Sequence, residues 1–283
     1  MADAPGALAA VAPCLRCPVC DGPVRVGDDR VSCGRGHSFN LARQGYVSLT
    51  SGRGGPGTGD SAAMVMAREA FLGGGHYRPV ADAVAGLAAR LDRGVPGLVV
   101  DLAGGTGYYL ARVLDVLPDR AGACVDLSAA ALRRAARAHP RAAALGADAW
   151  QPLPLADGSA ALVLSVFGPR NAAEIRRVLA PGGLLVIASP GPDHQRELRD
   201  SVGLIGIDER KAQRLADAFR GYPDATVTGV RYQLRLGHAD LTSLVAMGPS
   251  ARHVSAGALA DRVAALPDPV AVTVDVEVRS YQG

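Results

Sequence analysis

Lysine is almost absent from this chain: Lys211 stands alone among 30 basic residues, the rest being arginine. With the abundance of Ala, Gly and Pro, a GC-rich coding sequence accounts for this better than selection for arginine chemistry. Aromatic residues make up only 4% of the 283 positions, so Ala, Val and Leu must fill the core that a 48% hydrophobic content allows. No uninterrupted apolar stretch approaches the roughly 20 residues needed to cross a bilayer. Met1 to Pro13 lacks the basic start and long apolar run of a secretory leader. These absences predict a cytoplasmic protein with no membrane partner. A net charge of +3 is compatible with a nucleic-acid partner without arguing for one. A homodimer is equally compatible with the sequence.

The strongest local pattern begins where an apolar run from Leu98 to Leu102 meets Ala103-Gly104-Gly105-Thr106-Gly107. The run reads as a buried strand, and the small residues let the backbone turn tightly and approach a ligand. Leu110, Val113, Leu114 and Leu117 then recur at helical spacing until Pro118 closes the run. A P-loop would need Lys followed by Ser or Thr after the last Gly, where this chain offers Tyr108-Tyr109, and the G-x-G-x-x-G spacing of a dinucleotide site is not met. What fits is D-x-G-x-G-x-G from Asp101, with Ala103 at the first Gly position. This resembles motif I of the class I methyltransferases that use S-adenosylmethionine. The resemblance implies an α/β fold with a Rossmann-like mixed seven-stranded sheet, and Asp101, Gly104, Gly105 and Gly107 against the methyl donor.

The rest of that signature follows in order. A second strand, Gly122 to Val125, ends in Asp126, where a carboxylate can take two ribose hydroxyls, and Ser128 caps the next helix. A third strand is predicted near Ala143 to Leu145, with Asp148 in the loop beyond it; the methyltransferase pattern places a carboxyl group there near the adenine amino group. Ala161 to Val166 is the fourth. After it, Glu174-Ile-Arg-Arg-Val-Leu-Ala-Pro-Gly-Gly183 and a strand from Leu184 to Ala188 resemble the E-x-x-R-V-L-x-P-G-G crossover of these enzymes. Leu198 to Ile207, Arg210 to Phe219, Leu241 to Met247 and Ala256 to Leu266 read as helices. Thr226 to Leu236 and Val270 to Val278 alternate as strands of a terminal hairpin. His238 and His253 read as ordinary surface or core histidines.

Four of the five cysteines fall before residue 34. In a cytosolic chain such a cluster reads as metal ligands rather than disulfides. Cys17-x2-Cys20, twelve residues, then Cys33-x3-His37 gives two close pairs that can converge on one tetrahedral zinc. Cys14 with Cys17 is a second C-x2-C pair; Cys17 with Cys20 is preferred because the turn-forming Gly22-Pro23 lies just beyond Cys20. A closed site of four protein ligands makes the zinc structural, contributing about 10–16 kcal/mol to folding.

Gly36-His37-Ser38-Phe39-Asn40-Leu41-Ala42-Arg43-Gln44-Gly45-Tyr46-Val47-Ser48-Leu49, following the knuckle Cys17-Pro18-Val19-Cys20, resembles the bacterial 23S rRNA guanine-N1 methyltransferases, including the macrolide-resistance branch of antibiotic producers. The likeness continues at Met64, Ala67-Arg68, Phe71-Leu72, His76-Tyr77 and Pro79. It returns in Val166-Phe167-Gly168-Pro169-Arg170-Asn171, Pro190 to His194 with Glu197-Leu198, and Val245 to Pro249, so it spans nearly the whole chain. It divides the chain into a zinc-binding RNA-recognition domain over 1–50, a Gly-rich linker over 51–59 that should let the zinc module shift, and a methyltransferase domain over 60–283. The implied reaction is methylation of N1 of a guanine in hairpin 35 of 23S rRNA, with macrolide resistance as its consequence. A natural-product methyltransferase and an inactive zinc-bearing RNA-binding protein are the competing readings.

The family pattern adds Tyr77 and His194 as donor contacts. Guanine N1 must lose its proton before its lone pair is free, and His194, Glu197 and Asp193 are candidate acceptors by position. Phe167, in the segment running to Arg170 and Asn171, occupies the place where amino-group methyltransferases grip a planar target, and could stack on the base. Arg35, Arg43 and Tyr46 are candidate RNA contacts of the zinc module. Arg68 lies within the apolar face made by Met64, Val65, Phe71 and Leu72, where a guanidinium either snorkels or reaches the site rim for a carboxylate or phosphate. The arginines at 133, 134, 137 and 141 read as a solvated face rather than an RNA surface.

Overall fold

The computed structural model describes residues 4–50, 59–202, 219, 222, 226–248, 251 and 255–282. The N-terminal stretch forms a small antiparallel sheet of β1 (Val24–Val26), β2 (Arg30–Cys33) and β3 (Ser38–Asn40), followed by the short β4 (Tyr46–Ser48). The main sheet then takes β5 (Leu98–Leu102), β6 (Gly122–Asp126), β7 (Ala142–Gly146), β8 (Ala160–Val166), β9 (Leu179–Pro190), β10 (Thr226–Leu236) and β11 (Val270–Gln282). Every residue of β5, β7 and β8 is buried. Strands covered on both faces read as unbroken apolar runs, which is why these were visible in the sequence.

The sheet order is β10-β11-β9-β8-β5-β6-β7-β4, with β11 antiparallel to both neighbours and the remaining pairs parallel. This is the class I methyltransferase sheet of seven strands with an eighth, β4, added at the β7 edge. The chain reverses direction across the sheet at β5, which has β6 on one side and β8 on the other. Ligands of open α/β sheets bind beyond the carboxyl ends of the strands at such a switch point.

One face of the sheet is covered by the helices Arg78–Leu91 and Tyr108–Val116, through Val80, Val84, Leu87, Leu110, Val113 and Leu114. The opposite face is covered in part by the N-terminal segment. Leu8 and Val11 of the helix Ala4–Val11, with Leu15, Val31, Val47 and Leu49, join one core with Val100, Ala123, Val125, Ala143 and Leu145. The expectation of a zinc module free to shift is therefore corrected for its described residues: strand pairing and buried apolar surface hold the segment before residue 50 to the sheet. Residues 51–58 of the expected linker lie outside the described residues, as do the expected helix Arg210 to Phe219 except Phe219, the end of Leu198 to Ile207, Pro249 and His253.

Candidate active site and metal centre

Cys17, Cys20, Cys33 and His37 converge at the tip of the small sheet, their donor atoms all within 4.8 Å of one another. Cys20 Sγ lies 3.7 Å from Cys33 Sγ, while His37 Nδ1 lies 3.5 Å from Cys17 Sγ and 3.3 Å from Cys33 Sγ. Zinc bonds of about 2.3 Å to sulfur and 2.0–2.1 Å to nitrogen imply tetrahedral edges of about 3.8 Å and 3.6 Å, so these donors fit one zinc ion through Nδ1 of the histidine. Burial opposes ionisation of the Cys33 thiol, but the backbone N–H groups of Arg35 and His37, the His37 ring and Cys20 bring it down to about 6, toward the thiolate that metal binding requires. Cys14 is half-buried outside this set, where burial raises its thiol.

At the switch point a cavity of ≈ 690 Å³ opens, lined among others by Asp101, Gly104, Asp126, Asp148, Tyr77, Phe167 and His194. That is within the range of small-molecule sites. At the bend after β5, a Cβ on Gly104 would sit 2.7 Å from Asp101 Oδ2 and from Cys124 Sγ, so no larger residue fits. Asp126 closes the bend, its Oδ2 accepting from Gly105 N–H at 2.9 Å and its Oδ1 from Ser128 N–H at 2.8 Å. Burial raises the Asp126 carboxyl, against the pull of those N–H groups.

Asp101 is 1% exposed, and among the described residues neither of its oxygens has a hydrogen-bond partner. Burial, then the neighbouring Asp126 charge, pushes its carboxyl up to about 8; the Leu110 N–H pulls the other way without bonding to either oxygen. A buried unpaired carboxyl facing a cavity is a group built for a cationic or hydrogen-bonding ligand. A donor carrying a sulfonium and an ammonium suits it.

The other half of the cavity is aromatic. The Phe167 ring lies 5.9 Å from that of Tyr77, 6.4 Å from Tyr109 and 6.0 Å from His194, stacked on the last at 28°. Among the described residues four that are not glycine have positive φ, and three of them, Ala103 (52°), Phe167 (54°) and Gln195 (54°), line this cavity. Left-handed backbone at non-glycine residues costs free energy and collects at functional sites.

Residues 15–50 match the family model described as RlmA, N-terminal, and residues 99–183 match the one described as Methyltransferase domain. A 23S rRNA (guanine(748)-N(1))-methyltransferase of Streptomyces fradiae is 47% identical over 93% of this chain and 94% of its own. A protein of Micromonospora griseorubida named for guanine-N1 methyl transfer to 23S rRNA is 46% identical over 95% of this chain and 97% of its own. The chain belongs to the 23S rRNA (guanine-N1)-methyltransferase family.

Within this family member the residues nominated from sequence fall into two groups. The cavity brings together Tyr77, Asp101, Gly104, Asp126, Asp148, Phe167, His194 and Arg68. Arg68 does not snorkel outward: it pairs with Asp60 at 2.6 Å, donates to Met247 O at 2.9 Å, and places Nη1 over Gly105. Gly105 and Gly107 form the bend with φ of 58° and 77°.

Asp193, Glu197 and Arg170 do not line the cavity. Asp193 is drawn to Arg231 at 2.6 Å, and Glu197 spends both oxygens on Thr273, at 2.5 Å from Oγ1 and 3.0 Å from the N–H. Arg170 is half-buried and donates to Ser189 Oγ at 2.7 Å, which ties its loop to β9. His194 does face the cavity; its Nδ1 accepts from Asp275 N–H at 3.2 Å, and its Nε2 lies 3.2 Å from both Tyr77 Oη and Gln195 Nε2. Burial holds this imidazole down at about 4. With Nδ1 engaged by the Asp275 N–H, Nε2 is the ring atom left to face the cavity.

Arg35 and Arg43 are exposed on the N-terminal segment, while Tyr46 is half-buried in β4. Asp60, Trp150, Gln195 and Arg199 also line the cavity and were not nominated from the sequence. Trp150 alone had a signal, as an isolated Trp two positions after a nominated carboxylate.

Proposed function

We propose that this chain transfers a methyl group from S-adenosylmethionine to N1 of a guanine in hairpin 35 of 23S rRNA, and that the modification confers macrolide resistance. The observation that carries the reading is a single cavity with two chemically distinct halves, in a chain that matches such methyltransferases end to end. One half is a bend of small residues flanked by acids, and the other is a slot of rings.

As the N1–CH3 bond forms the donor's S–CH3 bond breaks, the sulfonium leaves as a neutral thioether and the guanine N1 proton passes to solvent water at the cavity mouth, so the protein's task is to align the acceptor nitrogen with the methyl. Gly104, Gly105 and Gly107 admit the donor to the backbone. Asp126 takes the ribose, Asp148 the adenine, and Asp101 the ammonium, while Arg68 meets the donor carboxylate over Gly105. Tyr77 and Phe167 hold the base as a flat plate. The neutral His194 offers its Nε2 proton to a carbonyl oxygen at the slot.

N1 of guanine lies inside the Watson-Crick pair, so the base must be unpaired or flipped, at a cost of a few kcal/mol that is smallest in a loop. Cys17, Cys20, Cys33 and His37 hold the zinc that fixes the N-terminal segment, and Arg35, Arg43 and Tyr46 present it to the RNA backbone.

The test is transfer of labelled methyl to the isolated hairpin, with the product mapped by reverse-transcriptase arrest, and macrolide intermediates as the competing acceptors. One arrest at a loop guanine, absent without donor, is the expected result. Methylation of a macrolide in place of the RNA would refute the substrate. Unchanged drug sensitivity after deletion of the gene, with the guanine left unmodified, would refute the resistance.

A further inference from the structure

Among the described residues only two non-polar aromatic side chains are left substantially exposed, Trp150 at 60% and Phe167 at 37%, and both line the same cavity. Exposure of the chain's sole tryptophan in a protein so poor in aromatics forgoes the largest apolar group available for packing. Its position is nonetheless fixed. The Trp150 N–H donates to Asp148 Oδ1 at 2.9 Å, and its carbonyl accepts from Asn171 Nδ2 at 3.1 Å. Asn171 is anchored in turn as the cap of the helix Ala172–Val178, its Oδ1 accepting from Glu174 N–H. The loops after β7 and β8 are thus tied together at this residue. Trp150 stands at the rim on the same side as Asp148, and Phe167 begins the loop that Asn171 ends.

We infer that Trp150 is a stacking platform for the nucleotide next to the target guanine, so that Phe167 and Trp150 hold two consecutive bases pulled out of the hairpin loop. This rests on the substrate proposed above and extends it to recognition outside the reacting base. Stacking on an aromatic side chain suits single-stranded RNA, because every base has a π-face. A pinned backbone beneath an exposed ring limits the ordering cost of such a contact.

The experiment uses the full-length protein loaded with zinc and a hairpin RNA presenting the target guanine in its loop. W150A should raise KM for the hairpin by about 5- to 150-fold, the range that one stacked base is worth. Donor affinity, measured by calorimetry, should stay within about twofold, and W150F should recover most of the loss. Because Trp150 is the only tryptophan, the fluorescence of the unsubstituted protein reports on it without turnover. The hairpin should quench it, and a hairpin with an abasic site beside the target guanine should not.

Quenching by the donor alone, with weakened donor binding in W150A, would make Trp150 a wall of the adenine site and overturn the inference. So would a W150A protein with unchanged KM for an RNA that the parent methylates. A parent protein that neither methylates the hairpin nor responds to it would remove the substrate reading itself, and this inference with it.

Discussion

Replacing Asp101 by Asn should flatten the dependence of stability on pH, and the size of the effect follows from one proton. An ordinary aspartate loses its proton near pH 3.8, whereas the buried Asp101 carboxyl keeps its proton until about 8. Between those values the folded chain holds a proton that the unfolded chain has released. Stability from this group is therefore greatest at low pH, falls as pH rises through the window, and levels off above 8. The slope is about 1.4 kcal/mol per pH unit. Over two units, from pH 5 to 7, that amounts to about 2.7 kcal/mol, or roughly 5–11 °C in Tm for a domain of this size.

Asn has the shape of the protonated acid and no proton to lose. The Asp101→Asn protein should melt progressively higher than its parent as pH increases, measured by circular dichroism in donor-free buffer of constant ionic strength. Parallel Tm curves for the two proteins from pH 5 to 7 would show that Asp101 is ionised at neutral pH in the folded chain. The account of a buried carboxyl with two orphaned oxygens would then be wrong.

Three further expectations can be checked with the same purified protein. Cys33→Ser should lower bound zinc from one equivalent to none by metal analysis and open residues 15–50 to protease, because the metal supplies about 10–16 kcal/mol there; an unchanged digestion pattern would refute a folding role. Ala103 has φ of 52°, and a left-handed alanine costs about 1–2 kcal/mol, so Ala103→Gly should raise Tm by about 2–4 °C or more. A lower Tm would show that the bend is unstrained. His194→Gln keeps an N–H donor and should cost less than about tenfold in kcat, with no rate break between pH 5.5 and 7; a loss of 10²–10⁴, typical of a missing general base, would restore His194 as the proton acceptor.

The sheet interior was legible because β5, β6, β7 and β8 are apolar runs stopped by Asp or Gly, and strands buried on both faces carry that signature. The bend at 103–107 and the acids at 101, 126 and 148 were legible because backbone approach and polar strand ends demand particular residue types. The metal ligands could be read from spacing together with the Gly22-Pro23 turn, which favoured Cys17-x2-Cys20 over Cys14-x2-Cys17. Strand β4 could not: three residues show no period, and their partner lies about a hundred positions away. The covering helix Ala4–Val11 was missed because an Ala-rich stretch hides which of its sides is buried. Asp193 and Glu197 were placed in the site by sequence proximity to His194, but the chain turns there at Gln195 and sends them to Arg231 and Thr273.

The pairing of Tyr46–Ser48 with Ala144–Gly146 has a bearing on solubility. A flank of unpaired peptide groups invites another molecule to add its own strand. In this chain the piece that carries the metal also seals that flank, and Leu49 N–H extends the seal to Gly146 O at 2.7 Å. A protein shortened to begin after Thr50 would bare the backbone of Ala142–Gly146 and the oily patch under Leu8 and Val47. It should precipitate or self-associate in solution.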